Sequence, residues 1–414
     1  MADSVTTGPR SVRDASEPAD ESGSAAAPEA PRARGSLRRR LGGGVVFLVL
    51  GLLFVLPWGT LFAFGVDWPF PVFLAGTVLF AAGLVSFPYL MAAGHGKRHD
   101  DRASRIADTM LGVVWVLFTW SVVGGLAHLV LMTVGLGGVG PARAVAVAVA
   151  VVSAALLGWG HHEAMRVPRV RRQDVTLPRL GAGLDGTRVV VLTDTHYGPI
   201  DRARWSARVT EVVNTLDADV VIHAGDIADG TAERRREQSA PLGAVRARHA
   251  RVYVTGNHEY YSGAEGWLDR MGELGWELLR NSHVIVERGG DRLVVAGVDD
   301  VTAESSGLAG HRADLRDALA GTDQDQPVLL VAHQPKFVAT SAAAGVDLQI
   351  SGHTHGGQIW PFHYLVRVDQ PVVSGLSHHG ERTHLYTSRG TGFWGPPFRV
   401  FAPSEITLLT LRAA

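Results

Sequence analysis

The apolar positions of this chain of 414 residues follow two different rhythms. In the first part they run together without a charged residue, over residues 45–64, 72–93, 111–134 and 144–160. A helix needs about 20 such residues to cross roughly 30 Å of hydrocarbon, so the pattern predicts four transmembrane helices. The fourth run is the shortest and richest in alanine, and Pro57 is a candidate kink in the first. Beyond Gly186 the rhythm changes to short β-branched runs: Val189–Leu192, Val220–Ile222, Val252–Val254, Leu293–Val298, Val328–Val331 and Leu348–Ile350. Helical patterns at Ala203–Leu216 and Ala264–Leu274 lie between them. Strands buried on both faces and alternating with helices predict an α/β domain with a parallel or mixed sheet.

Composition sets the boundaries. Residues 1–37 are rich in Ala, Ser, Pro and charged residues and nearly free of large apolar side chains, which predicts a disordered tail. Residues 38–165 follow as the transmembrane region, 166–185 as a basic linker, and 186–414 as the α/β domain. A signal peptide does not account for the first apolar run, which is too long and is followed by three more. The formal net charge of -1 gives no reason to expect a nucleic acid partner. With no cysteine in the chain, disulfides and thiolate metal sites are excluded.

Charge placement also predicts orientation. Arg38, Arg39 and Arg40 precede the first span, Lys97, Arg98, Arg102 and Arg105 join the second to the third, and Arg166, Arg169, Arg171 and Arg172 follow the fourth. The alternate loops hold only Arg143. By the positive-inside rule this is a multi-pass protein of the cell membrane with its C-terminal domain in the cytoplasm. His128 is read as a neutral interhelical hydrogen bonder, and His161, His162 and Glu163 as a polar cap where the fourth span leaves the bilayer. Without intramembrane acids or bases in number, transport has little support.

The chemistry lies at the strand ends. The first run of the domain leads to Asp194 and His196, the second to Gly225 and Asp226, and the third to Gly256, Asn257, His258 and Glu259. Two later runs lead to His333 and to Gly352, His353, Thr354 and His355. Carboxyl ends of strands gather at one edge of an α/β sheet, so five separate exits bring metal-binding residue types to one place. A single Asp or His at a strand end is usually a loop hydrogen bonder; five such exits together are a different matter.

These residues resemble the calcineurin-like metallophosphoesterase superfamily, whose pattern DxH, GDxxD, GNHE, HxP and GHTH reads here as Asp194–His196, Gly225–Asp229, Gly256–Glu259, His333–Pro335 and Gly352–His355. The surrounding GNHEYYSGA, GHTHGGQIWPF and SRGTGFWGPP are similar to a bacterial, membrane-anchored subgroup. The resemblance implies a four-layer α/β/β/α sandwich, here preceded by an all-α bundle of four transmembrane helices. It also implies two divalent metal ions, manganese first, with iron, zinc or magnesium as alternatives. Asp194, His196, Asp226 and His355 would hold one; Asp226, Asn257, His333 and His353 would hold the other, and Asp226 would bridge them. His258 would be the catalytic acid toward the leaving oxygen, and Asp229 and Glu259 would orient neighbouring groups.

The implied reaction is hydrolysis of a phosphomonoester, phosphodiester or pyrophosphate bond by a hydroxide bridging the metals. The aromatics Trp360, Phe362, Phe393 and Trp394 either pack their loops or form an apolar rim for a lipid-linked substrate. Arg389 either contacts a phosphate or makes a structural ion pair. The competing reading of the whole is a membrane receptor or scaffold with a metal-binding but non-catalytic domain, against which the retention of every ligand and of His258 argues.

Overall fold

The β-branched runs become strands of two sheets in the computed structural model, which describes residue 44, residues 48–96 and residues 98–414. The tail expected at residues 1–37 lies outside the described residues. The first sheet contains β1 (Arg169–Leu177), β2 (Arg188–Leu192), β3 (Val220–His223), β4 (Ala250–Tyr253), β5 (Glu277–Leu278) and β12 (Glu405–Ala413), in the order β1-β12-β2-β3-β4-β5. The second contains β6 (Ser282–Arg288), β7 (Asp291–Gly297), β8 (Val328–Val331), β9 (Leu348–Ser351), β10 (Gly375–His379) and β11 (Thr383–Thr387), in the order β10-β11-β9-β8-β7-β6. Both sheets are mixed: β2, β3, β4 and β5 run parallel, whereas β12 is antiparallel to β2 and β6 to β7.

Strand alternation explains the layering. Val189 and Val191 of β2 point between the sheets, where they join Ile222, Val252, Val295, Leu329 and Ile350. Val190 and Leu192 point outward and pack under Trp205, Val209 and Val213 of the helix Ala203–Asn214. On the far side Val294, Ala296 and Leu330 are covered by Leu315, Ala318 and Phe337. The result is four layers, α/β/β/α, and each fully buried Val, Leu or Ile contributes roughly 1.5–3 kcal/mol of hydrophobic stabilisation.

Four apolar helices precede the sandwich among the described residues: α1 (Leu48–Ala63), α2 (Phe70–His95), α3 (Asp101–Thr133) and α4 (Val139–Met165). Three of them, α2, α3 and α4, are long and apolar enough to cross a membrane. Among the described residues the expected count of four is therefore corrected to three, because the described part of α1 is short, and its last turn, Gly59–Ala63, widens into a π-helix. Helix α3 starts where the Asp100 carboxylate accepts hydrogen bonds from the backbone N–H groups of Arg102 and Ala103, at 2.8 and 3.1 Å. Glycines let the helices approach: a Cβ on Gly94 would overlap Ser104, and one on Gly124 would overlap Val149.

The stretch read as a basic linker is also corrected. Arg169–Leu177 is strand β1, paired in parallel with β12 along its whole length. Its arginines made it look unstructured, yet they suit an edge strand, where charge discourages pairing with other chains. Buried Glu163, near the end of α4, accepts two hydrogen bonds from Arg169, at 2.6 and 2.9 Å. The membrane helices thus lead straight into the first sheet, and Val49–Ala414 form one unit.

Candidate metal centre

The strand ends converge as the parallel strands within the two mixed sheets require. Asp194, His196 and His355 bring one donor atom each to within 4.8 Å of one another, and Asp226, His333 and His353 do the same. Oδ2 of Asp226 stands between the two groups, 3.6 Å from His196 Nε2 and 3.1 Å from His333 Nε2. Asn257 Oδ1 lies 2.9 Å from His353 Nδ1, which adds the amide to the second group. All seven residues expected as ligands are therefore brought to one place.

The backbone is contorted to achieve this. Asp194, His196, Asp226, His353 and His355 have φ of 53°, 42°, 54°, 69° and 52°, the left-handed region that non-glycine residues seldom occupy. Close approach also requires glycine: a Cβ on Gly256 would overlap the Asp226 carboxylate, and one on Gly352 would overlap that of Asp194. Glu259 braces the turn from beneath, accepting from the N–H groups of Gly256, Asp226 and Ile227 at 2.6, 2.9 and 2.7 Å.

The donor set fits cations. His333 Nδ1 faces the carbonyl of Ala224 at 2.7 Å and so carries its proton there. Its buried Nε2 makes no aligned hydrogen bond, although the Asp226 carboxylate is adjacent. A buried imidazole nitrogen set against a carboxylate oxygen favours positive charge at that point, as a proton or as a bound cation. Burial alone would lower the His333 pKa, but the charges of Asp226 and Asp194 hold it well above the usual range. Burial and the neighbouring imidazole of His333 push His353 down to about 3, and burial with His196 and Arg399 pushes His355 well down. Burial, together with the Asp226 charge, raises Asp194. The set is two carboxylates, an amide oxygen and four imidazoles, a nitrogen and oxygen donor set without sulfur that suits divalent metal ions.

His258 lies beside the ligand groups: with His196 and Asp226 it also brings one donor atom each to within 4.8 Å of one another, and its ring centroid is 4.6 Å from that of His196. Its Nδ1 is 2.7 Å from Asp229 Oδ1, an oxygen that also lies 3.3 Å from His196 Nδ1. Burial opposes protonation of His258, but the carboxylates of Asp226 and Asp229 outweigh it and hold the pKa up to about 9. Tyr261 and Trp394 flank its ring, with centroids 5.5 and 5.8 Å away.

A cavity of about 850 Å³ opens from this centre. His196, Asp226, Asn257, His258, His353 and His355 line it together with Met91 of α2 and Leu111, Gly112 and Trp115 of α3. Three features of the cavity and centre escaped the sequence reading. Arg399 is wholly buried, faces His355 Nδ1 at 3.1 Å and donates to the His355 carbonyl at 2.9 Å. Arg202 lines the cavity with its guanidinium 3.6 Å over the Trp205 ring. His95 and Asp108 form a 2.8 Å pair in the wall that α2 and α3 provide. No local motif announces any of them. Arg389, in contrast, is not among the residues that line the cavity.

Two sheets with carboxylate and imidazole groups gathered at their carboxyl edge define an α/β/β/α domain with a candidate metal centre. The sequence model of the calcineurin-like phosphoesterases matches residues 187–357. A zebrafish (Danio rerio) "transmembrane protein with metallophosphoesterase domain" is 36% identical over 64% of this chain and 62% of its own length. Its bovine (Bos taurus) namesake is 38% identical over 61% and 59%. An uncharacterized metallophosphoesterase of Helicobacter pylori is 36% identical over 62% of this chain and 68% of its own length. The chain belongs to the calcineurin-like phosphoesterase family. The match spans about six tenths of the length of the two vertebrate relatives. Among solved structures, a dimetal phosphatase from Danio rerio superposes with a TM-score of 0.35 at 14% identity, over 50% of this chain and 88% of that one, too slight a likeness to argue from.

Proposed function

We propose that the chain is a membrane-anchored phosphoesterase that uses two divalent metal ions to hydrolyse a phosphate ester or pyrophosphate carried on a lipid, at the cytoplasmic face. The cavity carries this reading: one continuous space is walled by the metal-ligand residues and by two apolar helices of membrane-spanning length. Orientation rests on charge. Arg98, Arg102 and Arg105 lie between α2 and α3 or at the start of α3, and Arg166 and Arg169 follow α4. The phosphoesterase domain stands at those same ends, with Arg235 bridging to Asp101 at 2.8 Å.

When bound, such a metal pair neutralises phosphate charge and makes a water deprotonate near neutral pH. Asp226 would be shared by both ions, with Asp194, His196 and His355 on one side and Asn257, His333 and His353 on the other. Asp229 holds the His258 ring and keeps it protonated. As the water oxygen bonds to phosphorus and the bond to the leaving oxygen breaks, that oxygen takes the His258 proton. Arg399 fixes the His355 ring, and Glu259 fixes the turn that carries Asp226.

The test compares protein in vesicles, with Mn²⁺, on a phospholipid or lipid pyrophosphate and on a soluble chromogenic phosphodiester. Two methylenes entering the apolar part of the cavity contribute about 0.8 kcal/mol each, so a lipid preference of about tenfold in kcat/KM is expected. Equal turnover of both would remove the lipid part of the proposal. Failure to hydrolyse either would leave the non-catalytic scaffold reading.

A further inference from the structure

The segment that follows His355 contains a feature that hydrolysis does not require. After Ile359, Trp360 and Phe362 comes a short helix, His363–Asp369, with no buried residue. Tyr364, Leu365 and Val368 are 60, 55 and 85% exposed, and together they form an apolar face. Phe362 and Val366, four residues apart and so on one side of the turn, instead line the cavity. The helix is thus a thin wall with the cavity on one side and an uncovered apolar surface on the other.

What lies against that surface follows from the depth of its neighbours. Phe362 packs edge-on against Trp115 of α3 with centroids 5.7 Å apart, and Trp360 meets Trp120 in a tilted pair at 6.1 Å. Ile359 joins Val116, Phe398 and Val400 in one apolar cluster. On α3 the last charged residue is Asp108, and from Thr109 to Thr133 there is none. At about 1.5 Å per residue, that uncharged stretch is a little longer than the roughly 30 Å hydrocarbon core. Trp115 therefore sits near the boundary between headgroups and acyl chains, and Trp120 several ångströms deeper. Interfacial helices bury their apolar side about 5–10 Å into this boundary, and Trp and Tyr concentrate there. Exposed Arg367 supplies a cation at headgroup level.

We propose that His363–Asp369 is an interfacial helix, seated in the lipid leaflet next to the metal centre, with Tyr364, Leu365 and Val368 in contact with acyl chains. The occupant of the apolar face is the bilayer itself. The cavity mouth then stands at the level of lipid phosphates. This rests on the membrane reading of α2–α4 and is independent of what the metal centre hydrolyses.

The chain has no cysteine, so a single introduced thiol can be labelled in the full-length protein. Val368→Cys carrying a polarity-sensitive fluorophore is reconstituted in phosphatidylcholine–phosphatidylglycerol vesicles containing a lipid spin-labelled near the top of its acyl chain. Leu126→Cys, exposed on α3, marks lipid, and Glu287→Cys, exposed on the β6–β7 hairpin, marks water. The Val368 label should show blue-shifted emission and quenching several times that of the Glu287 label. Quenching at Leu126 but not at Val368 overturns the interfacial helix while the spanning helices stand. Quenching at neither overturns the membrane reading as well.

Discussion

Asp229 sets two imidazoles at once, since one carboxylate oxygen meets Nδ1 of both His196 and His258. That sharing separates positioning from ligation and makes the two roles testable. His258→Ala should keep its metals, measured by elemental analysis, and lose about 10²–10⁴-fold in kcat, the usual range for a general acid. Asp226→Ala should lose metal and metal-dependent turnover together while circular dichroism shows a folded domain. The acid role also has a pH signature. His258 is protonated below its pKa, which the carboxylates hold up to about 9, and bound cations would draw that value down. Activity should therefore fall as pH rises, with a basic limb at or below pH 9, and the limb should disappear in His258→Ala; an unchanged limb would assign it to another group. Residues such as Asp194, Asn257 and His353 were legible because each follows its strand within a few positions, so a local pattern predicts a spatial one. Arg399 was not, because its contact with His355 is made across 44 residues by a buried side chain with no motif around it.

Helix α3 connects the two halves of the protein through a glycine. A Cβ on Gly112 would overlap the ring of Phe398, so the Pro396–Phe398 loop seats directly on the helix backbone. Gly112→Leu should unseat that loop. The expected outcome is a destabilisation of about 1–3 kcal/mol, typical of overpacking, seen as a lower midpoint in thermal unfolding in detergent. A change within experimental error would mean the loop has room to move. The same scale shows where sequence patterns mislead. Strand β1 read as a linker because arginine occupies alternate and adjacent positions on an edge, and only pairing with β12, more than 200 residues away, makes it a strand. Helices α2 and α3 extend past their uncharged runs, to His95 and back to Asp101, where Arg235 of the sandwich donates to the Asp101 carboxylate at 2.8 Å. The spans were readable from length; these extensions were not, since they depend on contacts with the domain.

At the scale of the molecule, the candidate metal centre is an electrostatic demand. Buried carboxylates and imidazoles face one another there, so any cation that binds only the folded state stabilises it. At a hundredfold excess over Kd a single ion contributes about 2.7 kcal/mol. Chelation should lower the unfolding midpoint by several degrees, restored by Mn²⁺, and no shift would argue that the donors are satisfied without metal. The seating of Ile359, Phe398 and Val400 on α3 and α4 has a further meaning for anyone who wants to work with the soluble half. Cut loose at Arg166, the piece that bears every donor would leave its floor behind and expose a raw apolar underside to water. Size-exclusion chromatography of that fragment should show clumping, relieved by detergent. Here the bilayer anchor doubles as the base plate on which the enzyme is finished.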